Sequence, residues 1–378
     1  MLWRVLEKFG FPPHFLQILR RFYTGLTFKV EYQGGEPAVI SYTSGVKQGC
    51  RTSPDLWNFI IQAIFEVAQP AFVGKLSFQT DFRSSAAPGG TRWKNQGSLP
   101  EGFELSHVVQ ADDTSLMAVS RPSLVHNAVV LNCIAELFGT KLHAGRGGEA
   151  SKTFGTAYPG AGVVDALVLS DIRLPDGGRL PFLSTPTRYL GVHTDSSFRS
   201  CVSINVKLTQ ASMKFGALAA SIFRNRRVSQ AAKRRVYLSM VLSTLLFGSH
   251  VWVPTAADWR RLENFHHEKV RIMAGVNLFA MRRHRISNSA LLRRLRLHPI
   301  RAYVGKVCLR WVGKVARMPL HRLPRRLLFA FLNCPRSSRA RKTYASAIKE
   351  HLRYFDISQE AATWTRLAQN PTEWDRML

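Results

Sequence analysis

Apolar side chains in the first part of the chain alternate between helical and strand-like spacing. Spacings of three and four residues predict helices, which cover Met1–Phe9, Phe15–Tyr23, Ser53–Ala68 and Leu124–Phe138. Ser53 is predicted to cap the third of these helices, with Pro54 in its first turn. Runs rich in β-branched and aromatic residues predict strands, which cover Thr27–Gln33, Ala38–Thr43, Leu105–Val109 and Ser115–Val119. The first two strands are expected to form a hairpin.

Helical spacing dominates from Ile204 onward. Residues 258–275 and 289–332 are predicted to form amphipathic helices with many arginines. The run Val236–Val253 is mostly apolar over about 18 residues, the length of a short membrane span. It also contains several serines and Gly248, and we therefore interpret it as a buried helix and expect no membrane partner.

The charge is concentrated in one region of an otherwise ordinary globular composition. Of 378 residues, 46% are hydrophobic and 20% charged, which excludes a wholly disordered or fibrous chain. Residues 1–200 carry 19 basic and 16 acidic residues, whereas residues 201–350 carry 31 and 4, a net charge of +27. Exposed helices normally mix both signs. The expected partner is a polyanion, with nucleic acid first and an anionic membrane second.

The cysteines indicate a reducing compartment. They are scattered, odd in number and without close pairs, at positions 50, 133, 201, 308 and 334. This pattern argues against a disulfide framework. The charged N-terminus is unlike a signal peptide, and we expect the nucleus or the cytoplasm.

Two adjacent carboxylates, Asp112 and Asp113, stand between the last two predicted strands. Carboxylates at the tip of a tight turn can hold divalent cations, and nucleotidyl transfer uses two Mg²⁺ ions. Such pairs are also common in solvated turns. The pair by itself does not separate the two interpretations.

A glycine-containing segment precedes the helix predicted at Ser53. Gly45 and Gly49 lie on either side of Lys47 and Gln48. Such a loop allows backbone N–H groups to approach a phosphate or a sugar closely. The alternative is a hairpin that leads into a helix and uses its glycines only for the turn.

The order of these motifs resembles the reverse transcriptases of non-LTR (LINE-like) retrotransposons. The segment SGVKQGCRTSPDLWN precedes ADDTSL, as in that family. Further segments resemble the same family in the same order: FGTKLH with SKT, TRYLGV, KRRVYLSMVLSTLLFGSHVW and LRWVGKVARMPLHRLPRRLL. The resemblance runs from Met1 to about Leu328.

The resemblance implies an α/β fold of the right-hand polymerase type. Residues 1–200 would be a partial palm with a small antiparallel sheet and without fingers, residues 201–276 an all-helical thumb, and residues 277–378 a basic helical C-terminal extension. The implied reaction is Mg²⁺-dependent attack of a DNA primer 3′-hydroxyl on a deoxynucleoside triphosphate, with RNA as the template. Two Mg²⁺ ions act in the intact family.

The resemblance also implies roles for individual residues. The metal-binding catalytic residues would be Asp112 and Asp113. The substrate site would consist of Gly45, Gln48, Gly49, Ser53, Pro54 and Lys152. The primer grip would be Tyr189, Leu190 and Gly191, and the cations of the thumb that face nucleic acid would be Lys233, Arg234 and Arg235. Lys152 could equally be a solvated loop lysine, and the strand at Tyr189 a purely structural one.

The chain also departs from the family pattern. Gln110 stands where the family usually has an aromatic residue, and CRTSP stands where a Pro-Leu-Ser-Pro run is common. The family's first catalytic Asp and its fingers would precede Met1. With two of three carboxylates, we expect this chain to be inactive as a polymerase. The alternatives are a non-catalytic nucleic-acid-binding remnant and a basic structural protein of a ribonucleoprotein, and the motif order argues against the second.

Overall fold

The computed structural model describes residues 1–31, 38–41, 45–47, 49–79, 102–146, 149–156, 170–183, 185–194, 199–332 and 342–378. These residues form helices and small antiparallel strand pairs. The predicted α/β class is thereby confirmed. The division into a polymerase palm and thumb stays a prediction.

The elements of the first part of the chain follow the predicted order. The helices are α1 (Leu2–Lys8), α2 (Pro13–Tyr23), α3 (Ser53–Ala68) and α4 (Arg121–Leu137). The strands are β1 (Thr27–Val30), β2 (Ala38–Ser41), β3 (Leu76–Gln79), β4 (Phe103–Leu105), β5 (His107–Gln110), β6 (Asp113–Leu116), β7 (Ile172–Arg173) and β8 (Arg179–Leu180). β1 pairs with β2, β5 with β6, and β7 with β8, all antiparallel.

The second part begins with a strand pair and is otherwise largely helical. The strands are β9 (Thr187–Tyr189), β10 (Val192–Thr194) and β11 (Phe331–Leu332). The first helices are α5 (Ser200–Ala217), α6 (Gln230–Val236), α7 (Ser243–Leu246), α8 (Ala256–Ala274), α9 (Leu278–Arg283) and α10 (Asn288–Arg294). The last are α11 (Ile300–Ala316), α12 (Leu323–Phe329), α13 (Tyr344–Tyr354), α14 (Ala361–Ala368) and α15 (Pro371–Met377). β11 pairs with β3, and therefore the C-terminal part is not entirely helical.

The chain divides into two compact units. The first consists of Met1–Ser77, Glu104–Gly155 and Ser170–Phe182. The second consists of Phe78–Phe103, Thr156–Leu169 and Leu183–Leu378. The strand pair β9–β10 therefore belongs to the second unit, although the sequence suggested a boundary near residue 200.

The core of the first unit forms around α3. Ile60, Ile64 and Phe65 are buried there, together with Val5 of α1 and Leu131 of α4. The Phe65 ring stacks on His107 of β5, with the ring centroids 4.2 Å apart. The hydrophobic core thus holds one face of the β5–β6 hairpin.

The start of α3 corrects the predicted cap. Thr52 occupies the cap position, without a hydrogen bond from its side chain to the helix, and Ser53 is the first helical residue. Ser53 is buried, and its hydroxyl lies 3.0 Å from the Tyr23 hydroxyl. This hydrogen bond to α2 takes the place of capping. Pro54 lies in the first turn, as predicted.

The apolar run Val236–Val253 contributes side chains to the core, as predicted, but Met240, Phe247 and Val251 are exposed and the run is not one helix. A π-helical segment, Tyr237–Leu242, separates α6 from α7, and Gly248 adopts a left-handed conformation with φ of 80°. Tyr237, Leu245 and Trp252 are fully buried in the core. Among the described helices, none has both the length and the apolar character needed to cross a membrane.

One hydrophobic cluster extends across the predicted boundary at residues 276 and 277. It contains Ile204, Met273, Met281 and Val304, and a second cluster runs from Cys308 to Trp374. Trp259 is buried in the first cluster, and Tyr303 packs against it. These aromatic residues lie among arginines in the sequence, but the structure uses them as core.

Two histidines are buried in a form that favours their neutral state. His266 lies between the Tyr237 hydroxyl, 2.8 Å from Nδ1, and the His298 carbonyl, which accepts from Nε2 at 2.9 Å. Burial lowers the pKa of His266 to about 4. Burial likewise lowers the pKa of His351, next to the Trp259 ring, to about 4.

These two histidines predict an acid-sensitive fold. The unfolded chain binds protons near pH 6.5, whereas the folded chain binds them only near pH 4. Their contribution to the free energy of unfolding is therefore complete above pH 6.5. It declines as the pH falls towards 4, by about 1.4 kcal/mol per pH unit for each histidine. We expect urea unfolding to show this decline. His266→Gln, which keeps a donor near the His298 carbonyl, should remove about half of it. A flat profile between pH 6.5 and 4.5 would contradict the assignment.

Candidate functional site

The two adjacent aspartates lie at the tip of the β5–β6 hairpin. Gln110 pairs with Asp113, which leaves Ala111 and Asp112 as a two-residue turn. Ala111 adopts a left-handed conformation with φ of 55°, a requirement of tight hairpin turns. The sequence placed Asp113 and Thr114 in the connection, whereas the structure places both in β6 because the turn needs only two residues.

The two faces of this hairpin have different surroundings. Val109 and Leu116 pack against the core built on α3. Side chains alternate along a strand, and Asp113 therefore lies on the opposite face. Asp112 and Asp113 are exposed, and among the described residues no cation pairs with either carboxylate. Both are therefore open to a cation or ligand from solution.

The predicted metal site is incomplete within the described residues. Each Mg²⁺ ion prefers six oxygen ligands, and a pair of ions needs several carboxylates. In the part of the chain that the structure describes, no three His, Cys, Asp or Glu side chains are grouped to hold a metal. Asp112 and Asp113 alone do not fit two Mg²⁺ ions, and we derive no metal-dependent step for this chain.

The predicted nucleotide loop leads directly into α3. Gly45 and Gly49 have φ of 87° and 85°, values that other residues adopt only with strain. The Cys50 N–H donates to the Lys47 carbonyl at 3.3 Å, and Lys47 Nζ lies 5.7 Å from the Phe28 ring centroid. Gly49 thus lies within a turn that this hydrogen bond closes, and the approach of a phosphate to the loop stays a prediction. Gln48 lies outside the described residues.

Cys50 gives this loop a chemical group that the sequence argument did not use. Its Sγ lies 3.2 Å from the Thr52 hydroxyl. Hydrogen bonding by Thr52 lowers the pKa of the Cys50 thiol to about 7. Burial instead raises the pKa of Cys308 to about 12. A helix N-terminus directly after a cysteine is the sequence signal for such a thiol.

Lys152 lies in the first unit but not against the aspartate hairpin. It is exposed, and its backbone N–H donates to His143 Nδ1 at 3.3 Å. Among the described residues, no contact joins Lys152 to Asp112 or Asp113. Its predicted role at a triphosphate stays a prediction.

The predicted primer grip forms a hairpin in the second unit. Leu190 and Gly191, with φ of 47° and 78°, make the two-residue turn between β9 and β10. Tyr189 is partly buried, and its hydroxyl has no hydrogen-bond partner among the described residues. A Cβ atom at Gly191 would stand 2.8 Å from Phe247 Cε1. Gly191 is therefore required both by its backbone angle and by the approach of Phe247.

A buried lysine lies beside this hairpin. Lys207 of α5 is buried, and its Nζ lies 4.6 Å from the Phe247 ring centroid. Burial, assisted by the charge of Arg188, lowers the pKa of Lys207. Burial and the charges of Lys207 and Arg188 also lower the pKa of His193 on β10. The hairpin and its surroundings thus have two basic groups, Lys207 and His193, whose charged forms are disfavoured by burial and by Arg188.

The three adjacent cations of α6 do not share a surface. Lys233 is only 5% exposed, and burial lowers its pKa. Arg234 Nε donates to the Arg296 carbonyl at 2.9 Å. Arg235 is exposed. The side chains of consecutive helical residues point about 100° apart, and the side of α6 with Lys233 packs against the core. Only Arg235 is fully available to a phosphate.

The carboxylates of residues 201–350 are all paired within the chain. Asp258 pairs with Arg261, Glu263 with Arg301, and Glu268 with Lys269. Glu350 pairs with Lys342 and lies 3.8 Å from Arg301. Within residues 201–350 no carboxylate is thus left unpaired for the remaining cations, and Arg310 pairs with Asp375, which lies beyond this region. From residue 269 to 349 the sequence has 21 basic residues and no acidic residue.

One group of these cations lies on α9 and α10 and directly after each helix. We define the α9–α10 surface as the exposed arginines Arg282, Arg283, Arg285, Arg293, Arg294 and Arg296. Both helices end in a Schellman motif, with Ile286 N–H donating to the Met281 carbonyl and Leu297 N–H to the Leu292 carbonyl. Arg285 and Arg296 occupy the left-handed positions of these motifs, with φ of 50° and 53°. Glycine usually occupies this position because other residues are strained there.

The contact between Gly191 and Phe247 is testable by stability. Gly191→Ala should lower the free energy of unfolding by about 2 kcal/mol, from backbone strain and displacement of the Phe247 ring. Gly275→Ala is the matched control, since Gly275 has φ of 68° but no atom within 4 Å of a Cβ. It should lose only the strain, about 1 kcal/mol. Equal losses for both variants, measured by urea unfolding, would show that Phe247 does not constrain the hairpin.

Comparison with known proteins assigns no family to the chain. No protein-family model matches it, and no curated protein matches it. The interpretation of these sites therefore rests on their geometry and on the order of the sequence motifs.

Proposed function

We propose that this chain is the nucleic-acid-binding part of an RNA-directed DNA polymerase of the non-LTR retrotransposon type. Its ligand would be an RNA template with a DNA primer, held mainly by the cations of the second unit. The exposed pair Asp112 and Asp113 would correspond to two of the catalytic carboxylates of the intact polymerase. The chain by itself would not extend a primer.

The observation that carries this proposal is the pairing of every carboxylate in residues 201–350. A protein surface with unpaired cations of one sign attracts polyanions and repels other cations. Nucleic acid carries a regular row of phosphates, and arginine binds phosphate through two parallel N–H donors. The α9–α10 surface offers six exposed arginines with no acidic residue between them.

The left-handed arginines provide a test that does not depend on disrupting the fold. Arg285→Gly with Arg296→Gly removes two cations and relieves backbone strain. We expect stability to stay unchanged or to rise by up to about 1 kcal/mol per site. Binding to a labelled RNA–DNA hybrid, measured by fluorescence anisotropy over about 50 to 200 mM salt, should weaken. The slope of log affinity against log salt should fall by about 1 to 2.

The matched control is Asp356→Gly. Asp356 holds the same left-handed Schellman position at the end of α13, with φ of 55°, and is exposed. This variant changes the backbone in the same way but removes a negative charge. It should bind at least as tightly as the wild type. A salt-independent affinity, or equal weakening in the control, would place the binding surface elsewhere.

The second candidate function is a nucleic-acid-binding remnant without catalytic activity. Both candidate functions predict the same binding, and they differ in whether the chain belongs to an active polymerase. The remnant is favoured because, within the described ranges, no third His, Cys, Asp or Glu joins Asp112 and Asp113 to hold a metal. Primer extension on an RNA template, with Mg²⁺ or Mn²⁺, should stay at background for the purified chain. Asp112→Asn should leave binding unchanged, because the hairpin is not part of the cationic surface. Extension that Asp112→Asn abolishes would show that the chain is an active polymerase.

A further inference from the structure

An aromatic ring projects from the helix that carries the first arginines of the α9–α10 surface. Phe279 is 70% exposed, and its neighbour Leu278 is 55% exposed. Single exposed apolar residues are common on proteins and need no explanation by themselves. This pair differs because it lies in the longest stretch of the sequence without an acidic residue.

The geometry of α9 fixes the direction of the Phe279 ring. Met281 is buried in the core, and Asn277 caps the helix by accepting a hydrogen bond from Ala280 N–H at 2.8 Å. Phe279 precedes Met281 by two residues, a rotation of about 200° around the helix. Burial of Met281 therefore turns Phe279 away from the core.

Two arginines share the helix face of Phe279. Arg282 and Arg283 follow it by three and four residues, the spacings at which helical side chains are neighbours. In the described part of the chain, no aromatic ring and no cation stacks on Phe279. The ring thus stands beside two exposed cations with its own faces open.

An open aromatic ring beside phosphate-binding cations suits an unpaired nucleobase. Stacking on an aromatic side chain tolerates any base and recurs in proteins that bind single strands. In a continuous duplex the faces of the bases are covered by their neighbours. We propose that Phe279 stacks on an unpaired base, and that the α9–α10 surface therefore prefers single-stranded or frayed nucleic acid to uninterrupted duplex. This inference rests on the proposed nucleic-acid binding.

An anionic bilayer is the alternative ligand for a surface with exposed cations around a small apolar projection. Helices that lie in a membrane interface present a broad apolar face. In α9 the apolar face is occupied by the core contact of Met281, and only Leu278 and Phe279 project outward. The small apolar area with a dense set of arginines favours a base over a lipid surface.

Phe279→Ala separates stacking from charge. We compare the binding of single-stranded RNA and of an RNA–DNA hybrid with blunt ends by anisotropy. The variant should bind the single strand about five-fold or more weakly, and the hybrid less than two-fold more weakly. The salt slope should stay unchanged, because no cation is lost. Phe279→Trp should restore the affinity for the single strand.

The controls distinguish this inference from the proposed function. Leu278→Ala removes a neighbouring exposed apolar side chain without an aromatic face, and it should bind both probes as the wild type does. If the wild type binds neither probe, the proposed function fails and the inference with it. If the wild type binds but Phe279→Ala behaves like Leu278→Ala, or weakens both probes equally, only the stacking role is overturned. If Phe279→Ala lost binding to phosphatidylserine vesicles but bound RNA as the wild type does, Phe279 would be assigned to a membrane contact instead.

Discussion

The scarcity of carboxylates in the second unit is the constraint on which its other properties depend. Residues 201–350 contain 31 basic and 4 acidic residues, and all four acidic residues are paired within the chain. Repulsion between the remaining cations opposes the compact state. The continuous core from Ile204 to Val304 offsets this repulsion by burying large apolar side chains. A polyanion, the proposed ligand, would supply counter-charge, and its binding would then stabilise the folded unit.

The two units contribute different exposed charges to the candidate sites. In the first unit the exposed charges without a partner include the carboxylates of Asp112 and Asp113. The core behind that hairpin is apolar, and it fixes the direction of the strands without neutralising their tip. In residues 201–350 of the second unit every carboxylate is paired, and exposed arginines lie at the ends and on the outer faces of helices. The candidate catalytic carboxylates thus belong to the first unit and the proposed polyanion-binding arginines to the second.

Much of the fold could be predicted because helix and strand periods reflect burial directly. The predicted helices at Met1–Phe9 and Ser53–Ala68 agree with α1 and α3 within one or two residues. The errors came from interactions that local sequence does not contain. Ser53 does not cap α3, because its hydroxyl forms a hydrogen bond with the Tyr23 hydroxyl instead. Lys233 is buried because it lies on the side of α6 that packs against the core. The sequence does contain a signal for the helix ends at Arg285 and Arg296, because two apolar residues five positions apart flank each end. The glycine that usually marks such an end is replaced by arginine in both cases.

Those two arginines also change what binding requires of the chain. A cation on an unstructured tail must be ordered when it binds, and fixing one backbone residue costs about 1–2 kcal/mol. The backbones of Arg285 and Arg296 are already fixed by the hydrogen bonds that end α9 and α10. Their Cα positions are therefore preorganised before any ligand arrives. The strain at the two helix ends is already present in the free protein, and binding of the proposed polyanion would add no further cost for ordering these two backbones.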